Sequence, residues 1–268
     1  MRPSQGRDRG PTPLTRSIEK VALQDHFFGI RPTHMDIPFQ QAYLVLAIPF
    51  LFVWALLFVF GRNTRKEQLI MSLLVAPLGT ISELVYFQDY WLPQSILSFK
   101  IGAVPILIED LLFAFSIGGI GAIIYEVALS RKLVQYKKSL HIKFGLPIIV
   151  SISSLASYLL FLSGINSIFA TSTGFVIAAL LIILQRKDLL INALLSGIAV
   201  MLVMFISYIV LYNVITNSEQ LTKECWLLYE TSLGIRIFNI PLTEMIWGFT
   251  WGLLAGPLYE FWKGLRTI

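Results

Sequence analysis

Leu107–Glu126, LIEDLLFAFSIGGIGAIIYE, recurs further along the chain as Pro241–Glu260, PLTEMIWGFTWGLLAGPLYE. At an offset of 134 residues the two stretches superpose without a gap. Asp110 falls on Glu244, Phe113 on Trp247, Phe115 on Phe249, Gly118 on Gly252, Tyr125 on Tyr259 and Glu126 on Glu260. Each stretch has the length of a bilayer-crossing helix, about 20 mainly apolar residues, and yet each carries acids. A second pair lies upstream at an offset of 121: Arg65-Lys66-Glu67-Gln68-Leu69-Ile70 against Arg186-Lys187-Asp188-Leu189-Leu190-Ile191. Acids and a Tyr-Glu pair held in register favour duplication over a chance likeness of two apolar helices.

The rest of the chain extends the pattern. Of 268 residues, 56% are hydrophobic and 14% charged, against about 25% charged in an average soluble domain. That balance excludes an ordinary soluble enzyme, a disordered chain and a nucleic-acid module. Seven stretches are long and apolar enough to cross a membrane, at roughly 42–61, 68–87, 103–129, 144–164, 167–185, 189–214 and 237–261. The expected fold is therefore an all-α polytopic membrane protein with seven transmembrane helices. Two parallel three-helix repeats (spans one to three and five to seven) are joined by a linking fourth span. By residue, 1–40 read as a polar mobile tail and 41–130 as the first repeat. Residues 131–165 form a basic loop with the linking span, and 166–268 the second repeat.

Charge placement sets the orientation. Arg62, Arg65, Lys66, Arg131, Lys132, Lys137, Lys138, Lys143, Arg186, Lys187, Lys263 and Arg266 all fall on one side of a seven-span chain. Only Lys100, Lys223 and Arg236 fall in the loops opposite. By the positive-inside rule the N-terminus lies outside and the C-terminus inside. The net charge of +5 is thus a topology signal and implies no nucleic-acid partner. The first 40 residues lack the apolar core of a secretory signal. A prokaryotic cell membrane is the expected location.

Ionisable side chains inside a span are costly and mark function by default. Six acids fall within the spans, Glu83, Glu109, Asp110, Glu126, Glu244 and Glu260, and no Lys, Arg or His accompanies them. Glu83, Glu109, Asp110 and Glu244 lie near the outer ends of spans two, three and seven, where four carboxyls can meet. Glu126 and Glu260 lie sixteen residues further on, about 24 Å along a helix, and are secondary candidates. Tyr86, Tyr90, Trp91, Phe113, Phe115, Trp247, Phe249 and Trp251 surround the first group. A protonated acid beside a carboxylate is the minimal equipment for general acid–base work, and aromatic faces stabilise cations. Together they suit protonation of an isolated alkene. Ala114, Gly118 and Ala122, with Gly248, Gly252 and Gly256, form small-residue stripes that read as helix packing. Gly118-Gly119-Ile120-Gly121 follows no strand and is no dinucleotide fingerprint. Cys225 stands alone, and His26, His34 and His141 have no ligand spacing. No metal or cofactor is expected.

At these residues the sequence resembles the membrane-embedded, flavin-independent lycopene cyclase family, which carries the motif Pro-x-Glu-(Glu/Asp)-x-x-Phe once in each homologous half. The first copy resembles Ile108-Glu109-Asp110-Leu111-Leu112-Phe113, without the proline. In the second, Pro241-Leu242-Thr243-Glu244-Met245-Ile246-Trp247, Thr243 replaces the first acid and Trp247 the phenylalanine. Ser82-Glu83 through Asp89-Tyr90-Trp91-Leu92-Pro93 is similar to the family's span-two ending. The resemblance implies redox-neutral cyclisation of the linear ends of lycopene to ionone rings, the substrate being a hydrophobic carotenoid drawn from the lipid phase. Glu109 or Asp110 is then the proton donor and Glu244 and Glu83 are acid–base partners. Phe113, Trp247, Tyr86 and Trp91 face the substrate or its cation. A homo-oligomer is left open. The rival readings are a terpene cyclase acting on another polyprenyl substrate and a proton-coupled transporter using the same acids as a relay.

Overall fold

The computed structural model describes residues 38–268, apart from 97, 102–103, 137–139 and 215–217. Of the tail expected over 1–40, residues 1–37 lie outside the described residues. Helix α1 spans Phe39–Phe60 and α2 Arg65–Asp89. A ribbon of β1 (Ser98–Ile101) and β2 (Val104–Leu107) leads into α3, Ile108–Ala128. After β3 (Leu133–Gln135) come α4 (Leu140–Leu162) and α5 (Ser167–Gln185). A 3₁₀ turn at Lys187–Leu189 opens α6, Leu190–Val214, and the short α7 covers Ser218–Cys225. Strands β4 (Arg236–Ile237) and β5 (Ile240–Pro241) precede α8, Leu242–Lys263, and β6 (Leu265–Thr267) closes the chain.

Among the described residues six helices are long and apolar enough to cross a membrane, and their outward surface suits one. Phe52, Val59, Leu73, Leu78, Leu159 and Ile206 are all exposed. In water such a surface would be an association hazard; in lipid it matches its solvent. The seventh expected span, α8, is 22 residues long but falls short of the others in apolarity. The reason is its position. It lies at the centre against α3, α5 and α6, with Thr243, Glu244, Thr250 and Glu260 buried in protein. A helix facing protein on most sides can carry polar groups that lipid would reject.

The expectation of an all-α chain needs correcting in a second respect, because among the described residues three two-stranded antiparallel ribbons cap the helices. The β4–β5 turn is made by Phe238 and Asn239, both at positive φ (52° and 64°). That pair of conformations belongs to a two-residue hairpin loop, which asparagine favours. Helices α3 and α8 consequently start at Ile108 and Leu242, five residues inside the spans read from apolarity. The third ribbon pairs β3 with β6, tying the segment after α3 to the C-terminus.

Helices α3 and α8 run side by side in the same direction. Residues 134 apart meet along their length. The rings of Phe113 and Trp247 lie 6.1 Å apart, the Trp251 indole donates to the Ile117 carbonyl at 3.1 Å, and a Cβ on Gly121 would meet Ala255 Cβ at 2.8 Å. Each helix also has a close partner from the preceding span, α2 for α3 and α6 for α8. Matched glycines permit both approaches. A Cβ on Gly118 would meet Val75 Cβ at 2.6 Å, and one on Gly252 would meet the Ser196 carbonyl oxygen at 2.5 Å. Backbone cannot yield as a side-chain tip can. Gly252→Val is therefore expected to destabilise the fold by about 1–3 kcal/mol, the usual cost of overpacking. Thermal unfolding in detergent should show a lower midpoint for Gly252→Val and an unchanged one for the exposed Leu159→Val.

Candidate active site

One cavity of about 240 Å³ opens between the helices, at the end where α2 finishes and α3 and α8 begin. Three carboxyl side chains line it: Glu83 from α2, Asp110 from α3 and Glu244 from α8. Among the described residues no Lys, Arg or His does. The remaining wall is largely aromatic, with Phe113 and Phe175 beside Trp91, Trp226, Trp247 and Trp251, and with the phenols of Tyr43, Tyr86, Tyr90 and Tyr208.

The three acids have different surroundings. Glu244 is met by three donors. Tyr208 Oη donates to Oε2 at 2.8 Å, and Tyr90 Oη and Trp226 Nε1 (3.1 Å) both donate to Oε1. An indole N–H can only donate, so the Trp226 contact commits Glu244 Oε1 to accepting. Asp110 has one donor, Tyr43 Oη, at 2.5 Å from Oδ1, while its Oδ2 is buried without a partner among the described residues. Glu83 Oε2 is likewise buried and unpartnered among them. The phenols and indole are themselves held. Tyr90 Oη also bonds Thr243 Oγ1 at 3.0 Å. Trp247 Nε1 donates to Tyr86 Oη at 3.0 Å, and Tyr86 in turn donates to Thr171 Oγ1 at 2.8 Å.

Backbone pairing seals the end of the cavity. Leu92 N donates to the Cys225 carbonyl at 2.8 Å and Leu227 N to the Tyr90 carbonyl at 2.9 Å. This packs Trp91 against Trp226, the rings tilted by 59° with centroids 4.4 Å apart.

Glu109 is not in the cavity. Its carboxyl turns toward the segment after α2, accepting from Ser95 Oγ at 2.5 Å and from Ile96 N at 3.0 Å. Its repeat position is Thr243, which bonds Tyr90. The second acid position of each motif copy, Asp110 and Glu244, is the one that faces the cavity. The missing acid at Thr243 therefore removes no carboxyl from the cavity.

Glu126 and Glu260 lie at the far end of α3 and α8 and do not join the first group. Asn192 Nδ2 bridges them, donating to Glu126 Oε1 at 2.9 Å and to Glu260 Oε1 at 2.7 Å. Glu67, drawn outside span two, is buried beside them, and neither of its carboxyl oxygens has a partner among the described residues. Among the described residues no group of His, Cys, Asp or Glu is arranged to hold a metal ion.

Sequence reasoning picked out neither Tyr43, Tyr208 and Trp226 nor Thr171 and Phe175. Tyr43 and Tyr208 are phenols at the acid end of otherwise apolar helices, a depth signal that was legible. Trp226 gave none, since it follows a short polar helix outside every span.

Cys225 is buried beside this seal. Burial, reinforced by the neighbouring Glu224 charge, pushes its thiol up to about 12. The thiolate is the nucleophile, so Cys225 supplies no covalent chemistry near neutral pH. The folded chain is expected to resist iodoacetamide at about pH 8, where an ordinary cysteine is substantially ionised. It should alkylate once unfolded in detergent. Rapid labelling of the folded chain would contradict this placement.

A family model described as lycopene cyclase matches the chain over residues 30–128 and again over 166–262. Two matches ending 134 residues apart are consistent with two homologous halves. No curated protein and no solved structure matches.

Proposed function

Because the chain belongs to the lycopene cyclase family, we propose that it closes rings on the linear ends of a carotenoid within the membrane, by acid-initiated cyclisation. The observation that carries this reading is the convergence of Glu83, Asp110 and Glu244 in an aromatic cavity that no cationic side chain lines among the described residues. We read α8 as a seventh crossing, with the N-terminus outside, the C-terminus inside and the two halves related by duplication.

Roles follow from the hydrogen bonds. An acidic group at the centre of a span costs roughly 2.5–3.5 kcal/mol on insertion scales, an upper bound for acids near the span ends. A hydrogen bond to a charged group returns about 1.5–3 kcal/mol. Three donors therefore suit Glu244 to negative charge, as the counterion of a cation and the acceptor of its proton. Glu83 and Asp110, each with a bare oxygen, suit the neutral acid. One of them adds its proton to the terminal double bond of the polyene, leaving a tertiary cation. The nearby internal alkene attacks that cation and closes a six-membered ring. A ring proton then passes to Glu244, giving the new double bond. One proton is gained and one lost, so the product is an isomer of the substrate and no cofactor is consumed. Phe113 and Trp247 present their faces to the cationic stage, where aromatic contact is worth about 2 kcal/mol or more in a dry site. Glu109 acts outside this chemistry, anchoring the segment that leads from α2 to the β1–β2 ribbon.

Expression in lycopene-accumulating cells tests the proposal, with products separated by chromatography. Cyclic products are expected from the wild type. Glu244→Gln should lower their formation by at least about a hundredfold, the low end of general acid–base contributions, at normal protein abundance. Unchanged lycopene with wild-type protein verified in the membrane would overturn the lycopene reading.

Glu109→Gln separates the two acids of the motif. An amide can keep both partners, its oxygen accepting from Ile96 N and its Nε2 donating to Ser95 Oγ, so cyclisation is expected to stay within about tenfold of wild type, ~1.4 kcal/mol. Loss as severe as that of Glu244→Gln would place Glu109 among the reacting groups.

A further inference from the structure

The cavity wall is not equally buried all round. The lining residues of α1, α6 and the α7 end, Tyr43, Leu46, Tyr208 and Trp226, are buried. Those of α2 and α5, apart from the buried Tyr86 and Ile168, are not. Val75, Gly79, Ser82 and Glu83 on α2, with Thr171 and Phe175 on α5, are half-buried, and Leu78 is 62% exposed while lining the same space. The cavity therefore opens sideways between these two helices, onto the surface that carries exposed Leu74 and Ile81.

The opening has a defined upper limit. Tyr86 Oη donates to Thr171 Oγ1 at 2.8 Å, Asn166 Nδ2 to the Asp89 carbonyl at 2.7 Å and Ser167 N to Asp89 Oδ2 at 2.9 Å. These bonds clasp the ends of α2 and α5 together. Above them the Trp91–Trp226 seal closes the end of the bundle. A ligand reaching the acids from the aqueous side would have to break both. From the bilayer it would need to displace only apolar side chains.

Size decides what fits. At about 240 Å³ the space is below the roughly 300–1,000 Å³ typical of pockets that enclose a drug-sized ligand. It holds one end of a long chain and leaves the remainder outside. We propose that the window between α2 and α5, with Leu78 at its rim, is a lateral portal that admits one end of a linear polyene while the rest of the chain stays in lipid. This rests on the cyclase reading above. The polyene has to leave and re-enter between ring closures, so its two ends are processed in separate visits.

The test uses the full chain in membranes supplied with lycopene. Leu78→Trp narrows the window and remains compatible with a lipid-facing position. It should lower cyclisation at limiting substrate by about tenfold, ~1.4 kcal/mol. Val59→Trp and Leu155→Trp, at exposed positions on α1 and α4, should leave the rate within about twofold. Independently, a benzophenone-bearing side chain at position 78 should give a light-dependent adduct with the polyene, and the same group at 59 or 155 should not. Full activity of Leu78→Trp together with no adduct at 78 would overturn the portal and leave the cyclase reading standing. If the wild type cyclises nothing, the cyclase reading fails. The adduct arm still decides the portal in that case: an adduct confined to 78 supports it, and none or equal labelling at all three positions overturns it.

Discussion

Helices α3 and α8 touch in register, and the positions of both acid groups depend on that contact. Gly121 against Ala255 and the Trp251 indole on the Ile117 carbonyl hold the two helices at close range. Register then brings Asp110 and Glu244 to one cavity at one end, and Glu126 and Glu260 to one asparagine at the other. In lipid there is little hydrophobic drive between helices, so close packing and interhelical hydrogen bonds carry association. The glycines are the condition for this arrangement. With a larger side chain at Gly118 or Gly252, α2 or α6 would be forced away, and with α2 the position of Glu83.

Carboxyl groups without cations can persist in such an interior only if their oxygens are met by donors or remain neutral. The described residues use both solutions in one cavity. Tyr90, Tyr208 and Trp226 converge on Glu244, while Glu83 and Asp110 keep bare oxygens. In the proposed reaction this asymmetry within a near-symmetric frame would separate an acceptor from a donor side. The aromatic wall would serve the next stage of the proposed reaction, because a carbocation needs a surface that stabilises charge without a lone pair to trap it.

Much of this was legible in the residues. The register of the two stretches around Asp110 and Glu244 came from matching letters, and apolar length located the helices. Some features were hidden for physical reasons. Apolarity continues through Ile237 and Ile240, so the hairpin there read as helix, and only Asn239 hinted at a turn. Glu109 and Asp110 are adjacent in sequence but about 100° apart on a helix, and sequence does not say which of two neighbours faces the cavity. Trp226 reaches Glu244 through tertiary pairing of its segment with Tyr90–Leu92, which no local pattern encodes. Helix α8 reads as one more span from its length, but the sequence does not say where its Thr243, Glu244, Thr250 and Glu260 face. Only the structure shows that it faces protein on most sides.

The central claim is that the reaction starts with a proton from a protein acid and ends with loss of a different one from the ring. Turnover of lycopene in deuterated water, followed by mass spectrometry of the products, tests it directly. Acids in exchange with solvent would deliver deuterium to the less substituted carbon of the terminal double bond, and the ring proton removed afterwards comes from the substrate. The account predicts products isomeric with the substrate in ordinary water and heavier by one deuterium per ring in heavy water. Rings formed with no deuterium, or products differing from the substrate in oxidation level, would contradict it.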